Sequence, residues 1–248
     1  MSWIRWIFTQ LLRLAAKLLL RVEILGMDRI PRQGPVILAI NHVNSIDALL
    51  LYTLLPRKTV GLVRAEIWRL PILGLVARSW ETIPVRRGEL DLDAFRRASR
   101  VLQHGGMLGL APEGTRSHTG CLLRARPGAV MLALRAPTAW IIPMAIFGHE
   151  NYAHYWRRLK RAPVHLRFGE AFRLRPPADT VSRAVRQQMA DQIMLQIAAL
   201  LPPRYHGAYA DIAATTPTYL EFGRDSGEGL VVSPGSKEAS AAGKEGGA

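Results

Sequence analysis

Residues 2–21 contain no Pro or Gly, and at 100° per residue their side chains sort into two faces. Arg5, Thr9, Gln10, Arg13, Lys17 and Arg21 share one arc, with Trp6 and Leu20 as the exceptions on it. Ile4, Ile7, Phe8, Leu11, Leu12, Leu14, Leu18 and Leu19 cover the remainder, so the spacing predicts one amphipathic helix. From Val22 the pattern changes to short apolar runs that read as buried strands: 22–25, 36–40, 59–63, 82–85, 107–110, 140–146 and 164–168. Helical spacing falls between them at about 45–55, 72–79, 90–104, 128–134 and 181–200. Such alternation predicts a single α/β domain, its mostly parallel or mixed sheet covered by helices on both faces. After Tyr209 the pattern fades, and from about residue 227 Gly, Ser, Ala and isolated charges predict disorder. The expected organisation is a helix over 1–21, a folded domain over 22–210 and a tail over 211–248.

Charge and cysteine content narrow the classes of function. The chain of 248 residues has 33 Lys and Arg against 19 Asp and Glu, a net charge of +14. That excess favours an anionic partner: nucleic acid, an anionic membrane surface or an acidic carrier protein. The single cysteine, Cys121, excludes a disulfide framework and a cysteine zinc site, and fits a reducing compartment. No stretch reaches the roughly 18 to 20 uncharged apolar residues needed to cross a bilayer. Arg13 and Lys17 also interrupt any signal-peptide core. A basic face opposite a Trp/Phe/Leu face is the pattern of a helix lying in a membrane interface. A helix packed on its own domain's core would show the same spacing.

Two segments at strand ends carry candidate chemistry. In Asn41-His42-Val43-Asn44-Ser45-Ile46-Asp47, Asn44 or Ser45 can cap the following helix, which puts Asp47 in its first turn. If the loop folds back, Asp47 can accept a hydrogen bond from His42 and leave the other ring nitrogen as a general base. A capping carboxylate beside an incidental histidine explains the same residues. In Pro112-Glu113-Gly114-Thr115-Arg116-Ser117, Gly114 permits a tight turn and Arg116 can hold a phosphate or carboxylate through paired hydrogen bonds. A surface Glu–Arg pair in a turn is the plainer alternative. Arg86 and Arg87 lie between these segments; Arg124-Ala125-Arg126 and Ile142-Pro143-Met144-Ala145 follow them. No Gly-x-Ser-x-Gly sequence occurs and Cys121 has no neighbouring histidine, which argues against a covalent acyl-enzyme. His104, His118, His149, His154, His165 and His206 are assigned no chemical role, His118 being the nearest in sequence to the second segment.

In this order the segments resemble the four blocks of the glycerolipid acyltransferase family, the 1-acylglycerol-3-phosphate acyltransferases and their relatives. The blocks are Asn-His-x4-Asp at 41–47, a Gly-x5-Arg block ending at Arg87, Phe-Pro-Glu-Gly-Thr-Arg-Ser at 111–117 and a Val/Ile-Pro block at 142–145. The resemblance covers about residues 22–172. Ala111 stands where the family carries Phe, and Glu81 where the second block carries Gly, which puts the backbone there in question. By resemblance His42 is the base, oriented by Asp47, that deprotonates a lysolipid hydroxyl for attack on an acyl thioester. Arg87 would bind substrate phosphate, with Arg86 beside it and Glu113, Gly114, Thr115 and Arg116 completing that pocket; Arg126 would touch donor or acceptor phosphate. The family uses no metal and no dissociable redox cofactor; the co-substrate is acyl-coenzyme A or an acylated carrier protein. The N-terminal helix and the lone cysteine imply the cytoplasmic face of a membrane, and the resemblance a lipid substrate and no nucleic acid. A different lysolipid acceptor, such as lyso-ornithine lipid, fits the same blocks. A basic membrane- or nucleic-acid-binding protein without catalysis would leave their order unexplained.

Overall fold

The computed structural model describes residues 2–86, 91–178, 180–211 and 218–223. Helix α1 (Ser2–Leu19) runs directly into strand β1 (Leu20–Leu25). The chain continues through β2 (Val36–Ile40), α2 (Ile46–Leu54), β3 (Thr59–Arg64), α3 (Pro71–Ser79), β4 (Ile83–Val85), α4 (Leu92–Gln103) and β5 (Met107–Leu110). After a long loop come α5 (Gly128–Arg135), β6 (Trp140–Phe147), α6 (Tyr152–Arg157), β7 (Ala162–Phe168), β8 (Phe172–Leu174), α7 (Arg183–Ala198) and β9 (Leu220–Phe222).

Among the described residues one mixed sheet forms, in the order β1-β7-β6-β2-β5-β3-β4, with β8 paired to β6 and β9 to β8. Strands β2 to β6 run parallel; β7 and β8 run antiparallel to β6, and β1 parallel to β7. The central strands are apolar throughout because helices cover both faces. In β2, Ile37 and Ala39 face α4, α5 and α7, while Val36, Leu38 and Ile40 face α2 and the end of α1. Since β2 to β6 share one direction, their C-terminal ends lie along one edge, and the loops leaving that edge carry the motif residues.

Every expected strand and helix is present. Helix α6 and strands β8 and β9 were not foreseen, being six residues or fewer and too short to show a period. Strand β9 draws Leu220–Phe222 onto the sheet from the segment expected to be tail, so the folded part runs past residue 210. The disorder expected from about residue 227 lies outside the described residues.

Helix α1 has a docked and an exposed side. Phe8 packs against Trp80, Ala16 is buried on the core, and Arg13 Nε donates to the Thr53 carbonyl at 2.7 Å. Trp3, Trp6, Ile7, Leu11, Leu14 and Leu18 remain exposed. Glu81 adopts φ +57°, the left-handed conformation a glycine takes freely, so the turn is kept without the glycine. Its carboxylate is held by Lys58 Nζ at 2.6 Å and approached by Arg5 Nη1 at 3.4 Å.

Candidate active site

His42 leaves the C-terminal end of β2, and its Nδ1 lies 2.8 Å from Asp47 Oδ2. Asp47 sits in the first turn of α2 and folds back over the loop, so the same oxygen accepts the backbone N–H groups of Val43 (2.8 Å) and Asn44 (2.9 Å). Asn44 caps the helix start, its Oδ1 accepting the Ile46 N–H at 2.9 Å; Ser45 Oγ makes no such bond. Burial of the fully enclosed Asp47 side chain opposes its ionisation, but hydrogen bonds from His149 and His42 outweigh that and hold the carboxyl at about 2. An ionised carboxylate only accepts, so the His42 proton resides on Nδ1. Nε2 keeps its lone pair, on a side chain that is 23% exposed at the sheet edge.

The loop after β5 fixes His42 from the other side. Glu113 Oε1 accepts the His42 N–H at 3.1 Å, and the Ser117 N–H donates to the His42 carbonyl at 2.7 Å. Both backbone groups of His42 are therefore tied to the 113–117 loop. Glu113 Oε2 accepts the Leu123 N–H at 2.9 Å, so this carboxylate, 2% exposed, braces backbone and presents no oxygen to the cleft. Burial pushes its pKa up to about 7, against the pull of the two N–H donors. A carboxyl whose folded pKa lies above its unfolded value stabilises the fold fully below about 4.5 and loses that contribution as pH rises through about 7. The range corresponds to about 3 kcal/mol. Thermal melts at about pH 5 and about pH 8 are expected to show a smaller loss of stability in Glu113→Gln than in the parent protein. Equal losses in the two would count against this account of the buried carboxyl.

The cations expected at the site are not equally placed. Arg116 Nη1 lies 3.2 Å from Ser45 Oγ, three residues from His42. Gly114, with φ +70°, closes the turn, and a Cβ there would meet Arg126 Cδ at 2.9 Å, so the Arg126 side chain lies directly over it. Thr115 is half-buried in the same turn. Arg86 projects from β4, three strand spacings from β2, or about 14 Å. Its N–H bonds Asp91 Oδ2 at 3.0 Å and its guanidinium is exposed. Arg87 lies outside the described residues. Ile142–Ala145 forms the buried middle of β6 and supports the site from beneath.

Three contributions were not read from the sequence, although Asn41 itself opens the first block. Asn41 bonds both backbone groups of Ile146, at 2.8 and 2.7 Å, locking the end of β2 to the end of β6. His149, just beyond β6, places Nε2 2.5 Å from Asp47 Oδ1. Tyr209 Oη accepts the Ala125 N–H at 2.8 Å and donates to Asp191 at 2.7 Å, while Gln187 donates to the Ala125 carbonyl at 3.0 Å. These bonds fix the residue between Arg124 and Arg126. Among the described residues no group of three or more His, Cys, Asp or Glu side chains is arranged to hold a metal ion. The two rings at Asp47 each aim a nitrogen at a carboxylate oxygen rather than at a common point.

A histidine–carboxylate pair with a free ring nitrogen, beside a guanidinium at the edge of a parallel sheet, can take a proton from a hydroxyl next to an anionic group. Comparison with known proteins bears on the fold and the family. The fold is similar to that of the 1-acyl-sn-glycerophosphate (LPA) acyltransferase PlsC from Thermotoga maritima: TM-score 0.60, 20% identity, 79% of this chain and 78% of that one. The 1-acyl-sn-glycerol-3-phosphate acyltransferase of Borreliella burgdorferi is 26% identical over 135 residues, 54% of each chain. The alpha form from Mus musculus is 28% identical over 176 residues, 69% of this chain and 60% of that one. The chain thus spans little more than half the length of the Borreliella and Mus proteins. The family model described as Acyltransferase matches residues 21–147, a segment that contains all four blocks. Half of the chain and the His42–Asp47 pair fall within that match: the chain belongs to the acyltransferase family.

Proposed function

We propose that the protein transfers a fatty acyl group from an acyl thioester to the free hydroxyl of a lysophospholipid, foremost 1-acyl-sn-glycerol-3-phosphate, giving phosphatidic acid. The observation that carries this reading is the His42–Asp47 pair, with Nε2 free and Arg116 beside it. His42 Nε2 removes the acceptor hydroxyl proton as the oxygen attacks the thioester carbonyl. The tetrahedral adduct then expels the thiolate, and the proton passes from the imidazolium to the departing sulfur. Asp47, one unit negative, stabilises the imidazolium in between. Arg116 and Arg126 suit the acceptor phosphate, and the similar proteins being 1-acyl-sn-glycerol-3-phosphate acyltransferases favours that acceptor over other lysolipids. The purified protein tests the choice when offered 1-acylglycerol-3-phosphate beside 1-acylglycerol, each with acyl-coenzyme A and with acylated carrier protein. A preference of at least about tenfold for the phosphorylated acceptor is expected, from loss of a charge-assisted contact worth about 1.5–3 kcal/mol. Equal use of both would remove phosphate recognition from the reading.

The exposed stripe of α1 sets the enzyme against an anionic bilayer, with Lys17 and Arg21 exposed toward the headgroups. Leu70, Ile72 and Leu73, at the start of α3, extend this apolar surface, and no described helix is long and apolar enough to cross a membrane. Burying a leucine contributes about 1.5–3 kcal/mol. Replacing Leu11 and Leu14 together by Glu is therefore expected to cut sedimentation with anionic vesicles by tenfold or more. Turnover of detergent-dispersed substrate should be retained. Unchanged vesicle binding would assign the stripe another purpose.

A further inference from the structure

Asp47 receives hydrogen bonds on both oxygens, and the two oxygens face different elements. Oδ2 takes His42 and two backbone N–H groups from its own loop. Oδ1 takes His149, which belongs to the turn after β6, 102 residues further along the chain. That turn is built to deliver the ring. Gly148 adopts φ +96°, and a Cβ there would press on His165 Cδ2 at 3.0 Å and the Pro163 carbonyl at 3.3 Å, so a side-chain-bearing residue is strained on both counts. Gly148 N–H is held by Glu150 Oε1 at 2.8 Å, and the preceding Ile146 is locked to Asn41 through both backbone groups. The His149 side chain is completely buried, and its Nδ1 has no hydrogen-bond partner among the described residues. The neutral tautomer with the proton on Nε2 meets these constraints: it donates to Asp47 and leaves no N–H unpaired.

We infer that His149 is a positioning residue for the reaction, acting through Asp47, which makes the working unit His42–Asp47–His149 rather than a pair. Within a single loop and helix turn, a carboxylate can rotate about χ2 and exchange the oxygen it shows to His42. A donor on Oδ1 from the turn after β6 removes that freedom and holds Oδ2 against Nδ1. A His149 ring carrying its proton on Nε2 alone adds no positive charge, so the negative charge of Asp47 stays available to the His42 imidazolium that forms during transfer. The inference rests on the proposed role of His42 as base. It predicts a defect in kcat, since the geometry matters when the proton moves, with little change in KM for either substrate.

The test compares His149→Gln with His149→Met, side chains of similar length that differ in the N–H donor. Met is expected to lower kcat about tenfold or more with KM within about twofold of wild type, whereas Gln, whose amide reaches Oδ1, restores most of the loss. Melting temperatures of the two variants separate this from a packing effect: a donor-dependent kcat at matched stability supports the inference. It is overturned if Met leaves kcat within about twofold of wild type, if Gln is no better than Met at equal stability, or if the loss appears in KM alone. Should the Met variant fail to fold, the Gln variant must keep at least about a fifth of wild-type kcat, and a lower value overturns the inference. His42→Ala assayed in parallel keeps the two readings apart. An active His42→Ala defeats the base assignment whatever the His149 variants do.

Discussion

His42→Ala is expected to lower acyl transfer by at least about a thousandfold while leaving the fold intact. The geometry gives the reason. The His42 backbone is held on both sides by the Glu113–Ser117 loop through its own N–H and carbonyl, and alanine keeps both of those bonds. Only the imidazole is lost, and with it the one group placed to accept a proton at the end of β2. General-base catalysis contributes about 10² to 10⁴ in rate. The upper half of that range applies here, because removing the ring also leaves the Asp47 charge without its partner. The measurement is steady-state turnover with product identified by mass, beside a thermal melt. Activity within tenfold of wild type would refute the base assignment.

Asp47→Asn is expected to be almost as damaging, and for a different reason. Four donors converge on the Asp47 carboxylate: the His42 and His149 rings and the N–H groups of Val43 and Asn44. An amide offers one accepting oxygen and one donating nitrogen, so in either orientation its NH₂ confronts a donor. If it faces Oδ2's partners, His42 must move its proton to Nε2 and ceases to be a base. Where the same carboxylate-to-amide change is made in Ser-His-Asp hydrolases, the cost in kcat is about 10⁴. A fall of 10² to 10⁴ is expected here, together with about 1–3 kcal/mol of lost stability from the opposed donors. Chemical denaturation and turnover measured on the same preparation check both effects. A variant with normal stability and activity within about threefold would show that the carboxylate neither orients nor charges the site.

The fold was legible where a residue's role depends on its neighbours in sequence. Apolar runs such as 36–40 and 107–110 showed the buried strands, and the spacing in α4 and α7 showed helices against them. His42 and Asp47 stand five positions apart on one strand–loop–helix unit, so local geometry alone could bring them together. Contacts across the sheet were not legible. His149 reaches Asp47 because β6 lies beside β2, a neighbour relation set by sheet order rather than by spacing. The only local sign was a glycine, Gly148, directly after an apolar strand, in the position where a chain turns sharply. Glu113 was placed in an anion pocket by its resemblance to the family's third block; its two oxygens instead hold the backbone of His42 and Leu123. The clamp of Tyr209, Asp191 and Gln187 on Ala125 joins three parts of the chain and has no sequence signature. Likewise, the division of α1 into a docked and an exposed side depends on where Trp80 and Thr53 lie in space, which helical periodicity does not contain.

The central claim is that this site moves an acyl group onto a lysolipid hydroxyl. It is tested most directly by incubating the purified full chain with a panel of lysolipids and acyl thioesters and identifying every product by mass. Phosphatidic acid formed from 1-acylglycerol-3-phosphate, in amounts that disappear in His42→Ala, is the expected result. No acylated product from any acceptor, or equal product from wild type and His42→Ala, would contradict it.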